Sequence, residues 1–161
     1  MQTPTLWTLF VLLVSPPRYG LIGGVANQIE PKKRPLSSMT PTIILKDGKP
    51  LIATGSPGGS TIITSVMQAV LNSVEWDMNI AEALHSPRIH HQWLPDLVIV
   101  EPGISPDTLQ ILQETGPIFT EDVSGEVVRT TLGLVNSVGR DGDWFVGSSD
   151  PRDPDSLAVG P

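Results

Sequence analysis

The sequence predicts an α+β fold with a largely antiparallel sheet, because β-hairpin signals bracket a group of helical segments. Two Asp-Gly pairs, at residues 47–48 and 141–142, each lie between β-prone stretches, as is typical of tight hairpin turns. Between the two hairpins, apolar residues recur at helical spacing. The chain has 161 residues with 15 glycines and 16 prolines, which favours one domain of short elements joined by turns.

The two predicted hairpins supply most of the strands. Residues 42–45 and 51–54 are β-prone and flank the first Asp-Gly pair. Residues 130–138 and 144–146 flank the second pair in the same way. Antiparallel pairing follows, because a two-residue turn can join only antiparallel strands.

Two helices are predicted directly after the first hairpin. The first starts at Ser60 or Thr61, because apolar residues then follow at i, i+3, i+4, i+7, i+8 and i+11. These residues are Ile63, Val66, Met67, Val70, Leu71 and Val74. The second begins with Asn79 and Glu82, which have the spacing of a capping box, and ends before Pro87.

A short strand at residues 97–100 precedes the third predicted helix. Ser105 is a suitable N-cap residue, and a proline at the next position fits the first turn. Leu109 and Leu112 give this helix an apolar side, and Gly116 ends it.

Composition excludes several classes of function. The formal net charge of −7 argues against a nucleic acid or an anionic membrane as main partner, because phosphate binding needs a basic surface. The basic residues 32–34 are interpreted as a solvated loop. The absence of cysteine excludes disulfides, thiolate catalysis and cysteine-based zinc sites. His85, His90 and His91 have no metal-site spacing, and we interpret them as structural histidines near Trp93.

The N-terminal segment, residues 1–18, differs in character from the rest of the chain. Its apolar run at residues 6–14 is too short to span a bilayer. Three interpretations stay open: a poor signal peptide, a core strand, or sequence foreign to the fold. We expect this segment outside the core, as a loosely packed tail or a separate apolar helix.

The run Gly-Ser-Pro-Gly-Gly-Ser at residues 55–60 is the strongest local candidate for a site. Adjacent glycines let backbone N–H groups converge, and the helix that follows adds its own unpaired N–H groups. Such a turn suits a phosphate, a carboxylate or the oxyanion of an acyl-transfer intermediate. A tight turn without a ligand remains the alternative.

Five motifs, in order, resemble the C-terminal part of the small subunit of γ-glutamyltranspeptidases. They are YGLIGGVAN at residues 19–27, KRPLSSMTP at 33–41, TGSPGGS at 54–60, PRIHHQWLP at 87–95 and SDPR at 149–152. The resemblance implies part of an αββα sandwich of the N-terminal nucleophile hydrolase type. It covers residues 19–161, an incomplete small-subunit-like domain, and leaves residues 1–18 unmatched.

The resemblance also implies a reaction. In this family an N-terminal threonine attacks the γ-glutamyl amide of glutathione or a similar donor, and water or an amino-acid or peptide acceptor resolves the acyl-enzyme. No cofactor or metal is needed, and a large subunit is the partner chain. Ser37 and Ser38 match the serines that bind the donor's α-carboxylate, and Gly58 and Gly59 match the oxyanion hole. A periplasmic or extracellular location is implied as well.

The sequence departs from the family at its start. The family's threonine lies further upstream than the 36 residues that precede Ser37, and residues 1–18 do not resemble the threonine motif. The segment before the glycine-rich run lacks the family's acidic residues, and the large subunit's arginine is not in this chain. We therefore expect a truncated family member that is inactive alone. The alternatives are a non-catalytic or partner-binding remnant, or a β-lactam acylase of the same family; the serine pair favours a γ-glutamyl donor.

Overall fold

The computed structural model describes residues 30–34, 39–93, 95–121 and 126–160. In chain order the elements are β1 (Thr42–Lys46), β2 (Lys49–Gly55), a 3₁₀ helix (Gly59–Thr61), α1 (Ile62–Val74), α2 (Ile80–His85), β3 (Ile89–His90), β4 (Ile99–Val100), α3 (Pro106–Glu114), β5 (Asn136–Asp141) and β6 (Trp144–Ser148). The main sheet has the order β1-β2-β5-β6, and β3 and β4 form a second, two-stranded sheet. All these neighbouring strands are antiparallel, so the predicted α+β class is confirmed.

Both predicted hairpins are present in the main sheet. In the first, Asp47 and Gly48 form the turn with φ of 53° and 74°, the left-handed conformations that tight hairpins require. In the second, Asp141 still pairs with Trp144, so the two turn residues are Gly142 and its successor. The second turn therefore lies one residue later than the Asp-Gly pair predicts.

The predicted strand over residues 130–138 is wrong in its first part, because β5 begins only at Asn136. Gly133 has a φ of +64°, which interrupts an extended chain. The Thr130 N–H still donates to the Val100 carbonyl in β4, but the next N–H groups donate to side chains. Leu132 donates to Glu101, Leu134 to Ser56 and Val135 to Asp150. Residues 132–135, called the anchored segment below, are thus fixed by distant side chains.

The helices occur where the sequence predicts them. Asn79 and Glu82 form both hydrogen bonds of the capping box at the start of α2. Of the six apolar residues that predict α1, only Val66 is buried, and the other buried residues of the helix are Ile62, Ser65 and Ala69. The buried side of α1 thus combines small residues with Ile62 and Val66, while Met67 and Leu71 are exposed.

The apolar core lies between the main sheet and helices α1 and α2. Its buried members are Ile52, Ala69, Ile80, Ala83, Leu84 and Val135. A second cluster beside α3 consists of Val100, Leu109 and Phe119, which confirms the predicted apolar side of that helix. No helix in the described ranges is long and apolar enough to cross a bilayer. Residues 1–18 lie outside the described residues, so the prediction for them stays a prediction.

Candidate functional site

The glycine turn, Gly58 and Gly59, follows the end of β2, and Gly59 is the first residue of the 3₁₀ helix that leads into α1. Its φ angles are 137° and 62°, both in the region that favours glycine. Within the part of the chain that the structure describes, neither glycine N–H donates a hydrogen bond. The Gly58 carbonyl accepts from the Thr61 N–H at 3.3 Å and from Thr61 Oγ1 at 2.8 Å. The carbonyl is thus committed to the helix start, and the two N–H groups are available to an anion.

Steric contacts at the back of the turn explain why Gly58 bears no side chain. A Cβ atom there would lie 3.0 Å from Thr61 Oγ1 and 3.1 Å from Gly133 Cα. Gly133 is itself enclosed, because its own Cβ would lie 2.7 Å from Ser65 Oγ. The glycine turn and the anchored segment therefore touch at two glycines.

Two serine hydroxyls lie beside the turn. Ser56 is buried; its Oγ donates to the Pro57 carbonyl at 2.6 Å and accepts from the Leu134 N–H at 3.1 Å. The Ser60 hydroxyl is buried and has no hydrogen-bond partner among the described residues. Ser56 thus joins the turn directly to the anchored segment.

Ser37 and Ser38, predicted to bind a carboxylate, lie outside the described residues, so a cavity that they share with the glycine turn stays a prediction. The chain just after them is described. A Cβ atom built on Gly55 would lie 3.6 Å from the Thr40 carbonyl oxygen, and Thr42 pairs with Thr54 in the first hairpin. The described chain two residues beyond Ser38 therefore runs beside the end of β2, next to the turn.

A buried charge cluster behind the turn was not anticipated from the sequence. It consists of Arg88, Glu101, Asp150 and Arg152. Arg88 Nη2 lies 2.9 Å from Asp150 Oδ2, and the side chains of this pair are 2% and 0% exposed. Arg152 donates to both oxygens of Glu101 and, at 3.0 Å, to Asp150 Oδ1. The motifs at residues 87–95 and 149–152 contain three of these four residues, but no local spacing pairs them.

The environment of the cluster shifts three pKa values. Burial lowers the pKa of the Arg88 guanidinium, and the charge of Asp150 only partly offsets it. For Asp150 burial raises the pKa, but the backbone N–H of Arg152 and the charge of Arg88 outweigh it, so the pKa lies below its ordinary value. For Arg152 burial lowers the pKa, but hydrogen bonds to Glu101 and Asp150 outweigh it, so the pKa lies above its ordinary value. Asp150 and Arg152 are therefore held in their charged forms.

The histidines make local contacts. His90 is buried, with Nδ1 at 2.7 Å from Thr64 Oγ1 and Nε2 at 3.0 Å from Gln92 Oε1. His91 Nε2 lies 2.9 Å from the carboxylate of Asp96. The described ranges contain no group of three or more His, Asp or Glu side chains that could hold a metal ion. His90 thus ties α1 to the segment that follows β3.

The fold matches solved structures of one class of enzyme. The chain superposes on a mutant γ-glutamyltranspeptidase of Helicobacter pylori with a TM-score of 0.72 and 44% identity, covering 84% of this chain and 72% of that one. The γ-glutamyltranspeptidase of Pseudomonas nitroreducens in complex with L-DON gives a TM-score of 0.73 and 31% identity, over 89% of this chain and 72% of that one. The fold is therefore of the N-terminal nucleophile hydrolase type.

The sequence places the chain within that class. Residues 15–160 match the family described as gamma-glutamyltranspeptidase, so the chain belongs to the γ-glutamyltranspeptidase family. It is 52% identical over 142 residues to the glutathione hydrolase proenzyme of Escherichia coli K12, which is 88% of this chain and 23% of that protein. The chain thus spans about a quarter of the length of the curated relatives that it matches.

Proposed function

We propose that this chain carries the oxyanion-binding and carboxylate-binding part of an enzyme that hydrolyses glutathione and transfers its γ-glutamyl group. The observation that carries the proposal is the pair of free N–H groups in the glycine turn, within a chain of this family. Two adjacent backbone donors at a helix start stabilise a developing oxyanion at no cost in reorganisation.

The proposed reaction divides the work between this chain and the rest of the enzyme. A threonine hydroxyl attacks the γ-glutamyl carbonyl carbon, and the carbonyl oxygen becomes an oxyanion held by the N–H groups of Gly58 and Gly59. The amide nitrogen leaves with a proton, and water or an acceptor amine then releases the γ-glutamyl group. Ser37 and Ser38 hold the donor's α-carboxylate. The threonine and the large subunit come from outside this chain, and the reaction needs no cofactor.

A chimeric proenzyme tests this proposal. Residues 15–160 of this chain would replace the matching 23% of the E. coli glutathione hydrolase proenzyme. We expect the chimera to release p-nitroaniline from γ-glutamyl-p-nitroanilide. Gly58→Ala adds a Cβ 3.1 Å from Gly133 and displaces the donors, so kcat should fall about 10²-fold. Gly160→Ala, where a Cβ meets open space, is the matched control.

Two results of this experiment would contradict the proposal. One is a folded, processed chimera without activity; the other is a Gly58→Ala chimera as active as its Gly160→Ala control. A cephalosporin offered to the same chimera tests the acylase alternative. Preference for it over the γ-glutamyl compound would overturn the proposed donor. A periplasmic or extracellular location belongs to the same proposal, on the family resemblance alone.

A non-catalytic, partner-binding role is the second candidate, because large apolar residues are exposed on α1 and on the main sheet. An assay of the isolated chain distinguishes this role from the catalytic one. We expect no release of p-nitroaniline from this chain, alone or with an added large subunit. Turnover that disappears on substitution of Thr3, Thr5 or Thr8 would show that this N-terminal segment supplies a nucleophile.

A further inference from the structure

The anchored segment forms the back wall of the glycine turn. A Cβ on Gly58 would lie 3.1 Å from Gly133 Cα, and a Cβ on Gly133 would lie 3.0 Å from Ser56 Oγ. Ser56 crosses the same boundary, since its Oγ accepts the Leu134 N–H. A displacement of this segment would therefore be transmitted directly to the turn.

Buried side chains hold the anchored segment on both of its flanks. The Leu132 N–H donates to Glu101 Oε1 at 2.6 Å, and the Leu132 carbonyl accepts from Arg88 Nη1 at 2.9 Å. The Ser65 hydroxyl, on α1, donates to the same carbonyl at 3.2 Å. At the other flank, the Val135 N–H donates to Asp150 Oδ2 at 2.6 Å.

The same carboxylates belong to the buried charge cluster. Arg152 bridges Glu101 and Asp150, so one guanidinium connects the side chains that hold Leu132 and Val135. A buried ion pair is weak evidence for stability, because its desolvation cost can equal its attraction. Here each carboxylate also accepts a backbone N–H of the segment, and so determines where that segment lies.

We propose that Arg88, Glu101, Asp150 and Arg152 are positioning residues for the N–H groups of Gly58 and Gly59, acting through the anchored segment. The role for the two glycines rests on the function proposed above. The coupling of the charge cluster to the glycine turn does not depend on that function, because it concerns only the position of the backbone. Arg152 contacts the carboxylates that hold both flanks of the segment. Of the four residues, its substitution should therefore displace the glycine turn most.

The test compares two arginine variants of the 161-residue chain by ¹⁵N–¹H NMR. Arg152→Lys keeps the charge and removes the fork that joins the two carboxylates. Arg140→Lys is the matched control: this arginine lies 3.8 Å from Asp143, whose side chain is fully exposed. We expect the amide resonances of Gly58 and Gly59 to shift in Arg152→Lys beyond any change in Arg140→Lys. The melting temperature is measured alongside.

A drop in melting temperature with the Gly58 and Gly59 resonances unchanged would overturn the proposal, since it would leave the cluster a purely structural role. No substrate enters this test, so its outcome is independent of whether the chimera is active.

If Arg152→Lys does not fold, hydrogen exchange of the unaltered chain decides. The Thr61 N–H, bonded to the Gly58 carbonyl, should then open with the same free energy as the N–H groups of Leu132 and Val135. A separate, lower opening free energy for Thr61 would contradict the link.

Discussion

At the scale of single residues, Arg152 compensates two buried carboxylates at once. Its side chain is 10% exposed and donates to both Glu101 and Asp150. We expect Arg152→Ala to lower the free energy of unfolding by about 3–5 kcal/mol, because it leaves buried charge uncompensated. Arg140→Ala, which removes a surface pair, should cost less than about 1 kcal/mol. Urea unfolding of both variants measures the difference, and equal losses would refute this account of the cluster.

The Asp150 carboxyl predicts how stability depends on pH. Its pKa in the folded chain lies below its ordinary value, so protonation opposes folding. The stabilisation is complete above the unfolded pKa of about 3.9 and is lost as the pH falls through the folded pKa. The free energy of unfolding should therefore decline below about pH 4.

Asp150→Asn should flatten that acid dependence, while Asp143→Asn, at a fully exposed carboxylate, should leave it unchanged. Urea titrations from pH 2.5 to 7 provide the measurement. If the free energy of unfolding of Asp150→Asn declines with acid as steeply as that of the unaltered chain, Asp150 is not the group responsible.

At the scale of elements, the N-caps of α2 and α3 offer a matched comparison. The Asn79 side chain accepts from the Glu82 N–H, whereas the Ser105 side chain forms no hydrogen bond to the backbone of its helix. Asn79→Ala should therefore cost about 1 kcal/mol, and Ser105→Ala clearly less. Thermal unfolding of the two variants tests this order, and a larger loss at Ser105 would contradict it.

Local signals explain which elements the sequence could predict. The first hairpin turn and the α2 cap are specified by residues within three positions of one another, at Asp47-Gly48 and at Asn79 and Glu82. The start of β5 is different, because the acceptors for its preceding N–H groups lie 31, 78 and 15 residues away along the chain. A β-prone sequence there is overridden by tertiary contacts.

The same distinction separates the two parts of the candidate site. The glycine turn is visible in the sequence, because adjacent glycines directly precede a helix. The charge cluster is not, because Arg152 lies 51 residues from Glu101 and their pairing needs the folded chain. Periodicity likewise predicted α1 without giving its buried side, since Ser65 and Ala69 are buried beside Val66 while most of the periodic apolar residues are not.

At the scale of the whole molecule, the described chain covers only one face of its main sheet with helices. On the opposite face, Ile43, Val138 and Phe145 are 70%, 44% and 66% exposed. The outer side of α1 is also apolar, with Met67 at 50% and Leu71 at 44%. Exposed apolar surfaces of this kind mark contact regions in soluble proteins. They accord with a chain that spans about a quarter of its relatives' length.

The exposed apolar side of α1 predicts self-association of the isolated chain. The double variant Met67→Lys/Leu71→Lys should lower the sedimentation coefficient at a given concentration, because charge replaces apolar contact area. Its free energy of unfolding should change by no more than about 0.5 kcal/mol per site, since neither side chain is part of the core.

Val66→Lys is the contrasting variant on the same helix: its side chain is 4% exposed, so an added charge should unfold the chain. Sedimentation velocity over a concentration series, together with urea unfolding, measures both effects. An unaltered chain that sediments as a monomer at every concentration would contradict the predicted self-association.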